Sequence, residues 1–212
     1  MTGHFLGRKI VPRSRNLLVG ALGAVAIVCS LAAAPARAAL IDTDACDSAP
    51  LSHPFARWGD TNPYKAVPGG TFEGAMIGWK LTGGARVVTG NESFAVAGGS
   101  HSLYLPAGAT ATTPLTCVDA AYPTARFFAH SDSLASTVVV QLLYQDPVVG
   151  LVPLPAGTAA LSWSWSPTLP MLTLSAVPGL LNGGTSQVAL RFTALLGPSH
   201  IDDIFIDPRM KG

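Results

Sequence analysis

The chain has 212 residues, of which 13 are Lys or Arg and 12 are Asp or Glu, giving a formal net charge of +1 at pH 7. Beyond residue 38 the acids outnumber the bases and no basic cluster occurs, so that part lacks the electrostatic footprint of a nucleic-acid binder. Its 22 Gly and 17 Pro punctuate the chain every few residues and exclude long helices.

Arg8, Lys9, Arg13 and Arg15 precede an apolar run from Leu17 to Ala34, and Ala36-Arg37-Ala38 follows as a small-x-small cleavage signal. That order predicts a secretory signal peptide over residues 1–38. An uncleaved anchor is the alternative, because the run approaches the shortest membrane spans. Cleavage would remove five of the basic residues and leave a mildly acidic, secreted or cell-envelope domain without a second membrane span.

Cys46 and Cys117 lie beyond that cut, and an even pair in an exported chain predicts a disulfide. The bridge would close a loop of about 70 residues and contribute on the order of 4 kcal/mol if unstrained. Residues 39–70, rich in Pro, Asp and Ser, read as an extended N-terminal arm. Phe55, Trp58 and Tyr64 on it either tie the arm to the core or offer a sugar platform.

Residues 71–212 read as strands and turns. Val188, Leu190, Phe192 and Ala194 alternate with Gln187, Ala189, Arg191 and Thr193, as in a strand with one buried face. In Thr137 to Gln145, Val138, Val140, Leu142 and Tyr144 oppose Val139, Gln141, Leu143 and Gln145, so both faces are expected to be partly covered. Shorter strands are expected at Thr71–Trp79, Arg86–Val88, Ser93–Val96, Ser102–Leu105, Arg126–His130, Leu161–Trp165 and Met171–Ser175. Gly83-Gly84, Pro106-Ala107-Gly108 and Pro155-Ala156-Gly157 are among the expected turns. The fold class is therefore all-β, a jelly-roll type sandwich of two antiparallel sheets, in which the last strand, Ser199 to Asp207, would lie beside Thr71–Trp79.

That last strand carries Asp202, Asp203 and Asp207 in an apolar setting, where unpaired charge is costly. Strict alternation puts Asp202 in phase with Ile204 and Ile206, so inward-facing isoleucines would turn Asp202 inward as well. The acids alternatively cap strand ends, pair with Arg86 or Arg191, or face water.

Gly69-Gly70-Thr71-Phe72-Glu73-Gly74, the following Gly78-Trp79 and the terminal Ile201-Asp202-Asp203-Ile204 together resemble the galactose-binding-like jelly rolls, including carbohydrate-binding modules of secreted bacterial glycoside hydrolases. The resemblance implies a structural calcium held between Glu73 and Asp202, with Asp203 as the alternate. Hard oxygen donors of that kind suit calcium.

Sugar rings stack on aromatic side chains and bond to nearby polar groups, so aromatics alternating along a strand are the ligand signal. Trp163 and Trp165, each flanked by serines, and the Arg126, Phe128, His130 face are the candidate ligand residues. Core packing is the alternative for the tryptophans, and a surface network for Arg126 and His130. No catalytic constellation is evident: His130-Ser131-Asp132 has the letters of a triad, but strand neighbours point to opposite faces. The sequence thus predicts an exported, non-catalytic protein that binds a glycan or other extracellular polymer. A structural or adhesive envelope protein acting through protein contacts is the alternative, and a hydrolase is a third.

Overall fold

The computed structural model describes residues 50–119, 124–146, 148–172 and 185–207. The signal peptide, its cleavage site and Cys46 lie outside the described residues. Cys117 is buried and disulfide-bonded.

Thirteen strands and a single 3₁₀ turn, Ala56–Trp58, make up the described regular structure. Among the described residues no helix is long and apolar enough to cross a membrane. The strands are β1 (Lys65–Ala66), β2 (Lys80–Thr82), β3 (Arg86–Thr89), β4 (His101–Leu105), β5 (Thr110–Thr112), β6 (Thr116–Asp119) and β7 (Thr124–His130), then β8 (Thr137–Asp146), β9 (Gly150–Ala160), β10 (Ser166–Pro167), β11 (Met171–Leu172), β12 (Thr185–Ala194) and β13 (Ser199–Asp207).

They form two antiparallel sheets, the layout of a jelly-roll type sandwich. One is seven-stranded, in the order β10-β7-β13-β4-β3, with β1 added to β13 and β11 to β7. The other is six-stranded, in the order β2-β5-β12-β8-β9, with β6 added to β12. Between them lies the core: Leu103, Leu105, Ala125, Phe127 and Ala129 from the first sheet meet Val138, Val140, Leu142, Val188, Leu190 and Phe192 from the second. Phe127 and Phe192 touch edge to face across the layers, 5.1 Å between centroids.

β13 is a central strand, but Thr71–Trp79 is not its neighbour. That segment is turns, because Phe72 (φ 57°) and Gly78 (φ 79°) take left-handed conformations that no strand accommodates. Phe72 drops into the core, and β13 pairs with β7 on one side and with β4 and β1 on the other. The backbone of Gly70 passes so close to β13 that a Cβ there would meet the Ile204 carbonyl oxygen at 3.1 Å.

Two more expected strands, Ser93–Val96 and Leu161–Trp165, are loops, and only Met171–Leu172 of Met171–Ser175 is a described strand. Pro155-Ala156-Gly157 is not a turn but part of β9. Proline is tolerated there because β9 is an edge strand, and a bulge opposite Val140 and Gln141 absorbs the irregularity.

A bulge also resets β13. Its register against β7 shifts between Asp202 and Phe205, and Asp203 takes φ 47°. One inserted residue inverts the alternation that follows. Ile201, Ile204 and Ile206 consequently all enter the core, whereas Asp202, expected to face inward with Ile204 and Ile206, bonds to the β3–β4 loop.

Candidate functional site

On β7, Phe127 and its period-two partners point into the core, so Arg126, Phe128 and His130 point outward from the seven-stranded sheet. The strand register then assembles a transverse row on this outer face. His130 stands opposite His200 of β13, His200 opposite Tyr104 of β4, and Tyr104 opposite Arg86 of β3. The two imidazoles stack, with centroids 4.5 Å apart and planes 14° apart. Tyr104 lies 5.0 Å from His200, and the exposed Arg86 guanidinium covers the Tyr104 ring at 4.6 Å. At the other end Trp165 meets His130 at 4.4 Å.

Asp132, which is 69% exposed, leans over the pair, its carboxylate oxygens 3.9 Å from His130 Nδ1 and 3.6 Å from His200 Nε2. Both distances exceed a hydrogen bond, and His130 Nδ1 is buried without a partner. Burial pushes both imidazoles below the usual histidine value, and for His130 the neighbouring His200 adds to the effect.

A second polar cluster lies under the β3–β4 loop. Asp202 and Asp203 are fully buried. Asp202 Oδ2 accepts the Glu92 N–H at 2.9 Å and the Asn91 amide, and Oδ1 accepts the Asp203 N–H at 2.8 Å. Asp203 Oδ2 accepts from Ala97 N–H at 2.9 Å, while its Oδ1 has no partner. The Glu92 carboxylate, also buried, accepts the N–H groups of Phe94 and Val96. Burial raises Asp202 to about 8 and Asp203 to about 6, and the neighbouring acids add to both shifts.

Glu73 shares no hydrogen-bond partner with Asp202 among the described bonds, although its charge acts on Asp203. Its carboxylate accepts the N–H groups of Ser100 and His101, each at 2.6 Å, and His101 Nδ1 at 3.0 Å. Chiefly through the His101 side-chain bond, it is held down at about 2. Among the described residues no three His, Cys, Asp or Glu side chains stand together as a set of metal ligands. The unpartnered Asp203 oxygen beside Asp202 and Glu92 nevertheless has the donor chemistry of a hard-cation site.

No protein-family model matches the chain, and no curated protein matches it. The chain is similar in fold to carbohydrate-binding modules. One is TmCBM61 in complex with β-1,4-galactotriose, 14% identical, with 66% of this chain and 96% of that chain covered and a TM-score of 0.42. Another is the CBM22-2 xylan-binding domain of Paenibacillus barcinonensis Xyn10C, 13% identical, with 68% and 97% covered and a TM-score of 0.47. A third, the enzymatically active domain of tailspike protein 4 of bacteriophage CBA120, is 18% identical over 66% of this chain and 21% of that one, at a TM-score of 0.43.

Of the ligand residues expected from the sequence, His130 and Trp165 come together in the row. Trp163, 59% exposed, sits on the loop before β10 and shares no strand face with Trp165. Arg126 and Phe128 share the outward phase of His130 but lie beneath the N-terminal arm. Phe128 packs with Phe55, Trp58 and Phe94. Arg126 bonds Asp60 at 2.6 Å and the Thr168 carbonyl at 2.8 Å, with its guanidinium 4.2 Å over Phe55. His200, Tyr104 and Arg86 escape sequence reasoning because only strand register aligns them, and no single segment carries that information.

Proposed function

We propose that this chain is a non-catalytic recognition module for a carbohydrate polymer, bound across the strands of the seven-stranded sheet by the row from Trp165 to Arg86. The observation that carries the reading is the alignment of Trp165, His130, His200 and Tyr104 beside Arg86 on one outward face. Trp165 and Tyr104 supply stacking surface, and the imidazoles and guanidinium supply hydrogen bonds to hydroxyls. From His130 to Arg86 the row crosses three strand intervals, ~14 Å, the length of a short oligosaccharide. The outward residues of β12, Ala189, Arg191 and Thr193, offer no aromatic platform on the other sheet.

No serine, threonine or cysteine belongs to the row itself. Ser131, between His130 and Asp132, is fully buried, and its hydroxyl donates to the Pro198 carbonyl at 2.5 Å while accepting from Ser133 N–H at 3.0 Å. A hydroxyl so committed is not presented to a substrate.

Two further parts belong to the proposal. The chain is exported, with Cys46 and Cys117 joined. Asp202 and Asp203 hold a structural calcium, because Asp203 Oδ1 is left without any other partner, and Glu73 and Glu92, which both act electrostatically on Asp203, are the further carboxylates at hand. Calcium there would neutralise the buried acids and fasten the β3–β4 loop to β13.

The test is retention of the purified chain on a panel of insoluble polysaccharides, with calcium and with chelator. One polymer should retain it, and Trp165→Ala should weaken retention on the order of tenfold while leaving the fold intact. Folded protein that passes through every polymer in both buffers refutes carbohydrate recognition and turns the search to protein partners.

A further inference from the structure

The polar groups of the row select a class of sugar. We infer that the row recognises an acidic polysaccharide, with a ligand carboxylate seated over the His130 and His200 imidazoles and Arg86 meeting a second acidic group along the polymer. This rests on the carbohydrate reading above and narrows it.

Every strand residue in the row that bears a polar group offers a donor. Arg86 has only donors, Tyr104 presents a hydroxyl, and each neutral imidazole has one N–H to give. His130 Nδ1 is buried with its hydrogen-bonding capacity unused, a defect that a ligand corrects on binding. Asp132 is the one carboxylate that acts electrostatically on both imidazoles.

Its position marks the seat. One oxygen faces each ring nitrogen, so the chain's own carboxylate already spans the pair. It is a poor occupant, since it stays beyond bonding distance of both nitrogens and is mostly exposed. A carboxylate arriving from solvent displaces an exposed side chain and closes to true hydrogen bonds, which are stronger when the acceptor is ionised. Arg86 lies two strand intervals, ~10 Å, from His200, with the Tyr104 ring between them as a stacking surface. Two anion-recognising points separated by an aromatic ring suit a polymer with repeated carboxylates better than one bearing hydroxyls alone. Arg86 is free to turn toward a ligand, because its described partners are the Tyr104 ring and the Gly84 carbonyl at 3.2 Å.

Calorimetric titration of the full chain compares oligomers of polygalacturonate and of alginate with their methyl esters, which keep the sugar backbone and remove the charge. At least one acid form is expected to bind about tenfold more tightly than its ester, the difference made by a charge-assisted bond. Arg86→Ala should abolish most of that preference by weakening the acid form far more than the ester, and an exposed Arg on a short strand can be removed without unfolding the sandwich. Asp132→Asn removes the competing carboxylate and should tighten binding of the acid form. Equal affinity for acids and esters overturns the inference, as does weaker acid binding by Asp132→Asn. If those esters or neutral polymers of the panel still bind, the carbohydrate reading stands without it. If no polymer binds in any form, both fall.

Discussion

Breaking the brace between the N-terminal arm and β7 should release much of the fold's stability. Arg126 and Asp60 have side chains 6% and 13% exposed and meet at 2.6 Å. Asp60 also accepts from the Tyr64 hydroxyl at 2.8 Å and the Asn62 N–H at 3.1 Å. Arg126→Ala strips the countercharge from a nearly buried carboxylate and leaves the Thr168 carbonyl without its guanidinium donor. Removing one partner of such a pair costs about 3–5 kcal/mol, and loss of the cation–π contact with Phe55 falls within that range. Asp60→Asn should cost less, because the amide can still serve Tyr64 and Asn62. The double variant isolates the pair, with an expected coupling of about 2–3 kcal/mol. Urea unfolding of the four proteins, read by tryptophan fluorescence, supplies the numbers, since Trp58 reports on the arm. A coupling below about 0.5 kcal/mol, the additivity expected of independent sites, would refute the idea that this pair holds the arm to the sheet.

Gly70→Ala forces a methyl against the Val67 and Ile204 carbonyl oxygens, at 3.0 and 3.1 Å, and should destabilise by about 1–3 kcal/mol in the same unfolding assay. The buried acids give a pH dependence of definite sign. Asp202 and Asp203 sit at about 8 and 6, raised mainly by burial above an ordinary 3.8, so the folded state binds protons more tightly than the unfolded one. Their contribution is fully present below pH 3.8 and is lost as pH rises through 6 and 8. In chelator the melting temperature should therefore fall by more than about 3 °C between pH 5 and pH 8.5. Added calcium should restore it at pH 8.5 and do little at pH 5, and a flat profile in chelator would show that these acids are not desolvated as described.

The architecture was legible because it rests on alternation within single segments. β7, β8 and β12 declare themselves by period two, and their inward residues are those that fill the core. Local pattern failed where one residue changed the phase or a left-handed backbone replaced a strand. Phe72 and Asp203 are non-glycine residues at positive φ, and neither composition nor spacing announces such a conformation. The resemblance of Gly69–Gly74 and Ile201–Ile204 to galactose-binding-like domains located two structurally exceptional segments, but not the contacts each would make. Glu73 accepts from Ser100 and His101 while acting electrostatically on Asp203, and the backbone N–H of Glu92, from an undistinguished loop, is what meets Asp202.

The row from Trp165 to Arg86 shows a deeper reason for partial legibility. His130 and Trp165 could be singled out because each lies beside other aromatics in its own segment. Tyr104, His200 and Arg86 are solitary along the chain, from three strands separated by turns and loops, and become a set only through the pairings of β13 with β4 and β7 and of β3 with β4. A recognition surface that runs across strands is written in register, which long-range pairing decides. Arg126 and Phe128 show the converse: they share His130's strand and phase, yet the arm of Phe55, Trp58 and Asp60 covers them and ends the open part of β7 at His130. Strand phase therefore selects the face, while the arm selects which residues on that face stay uncovered.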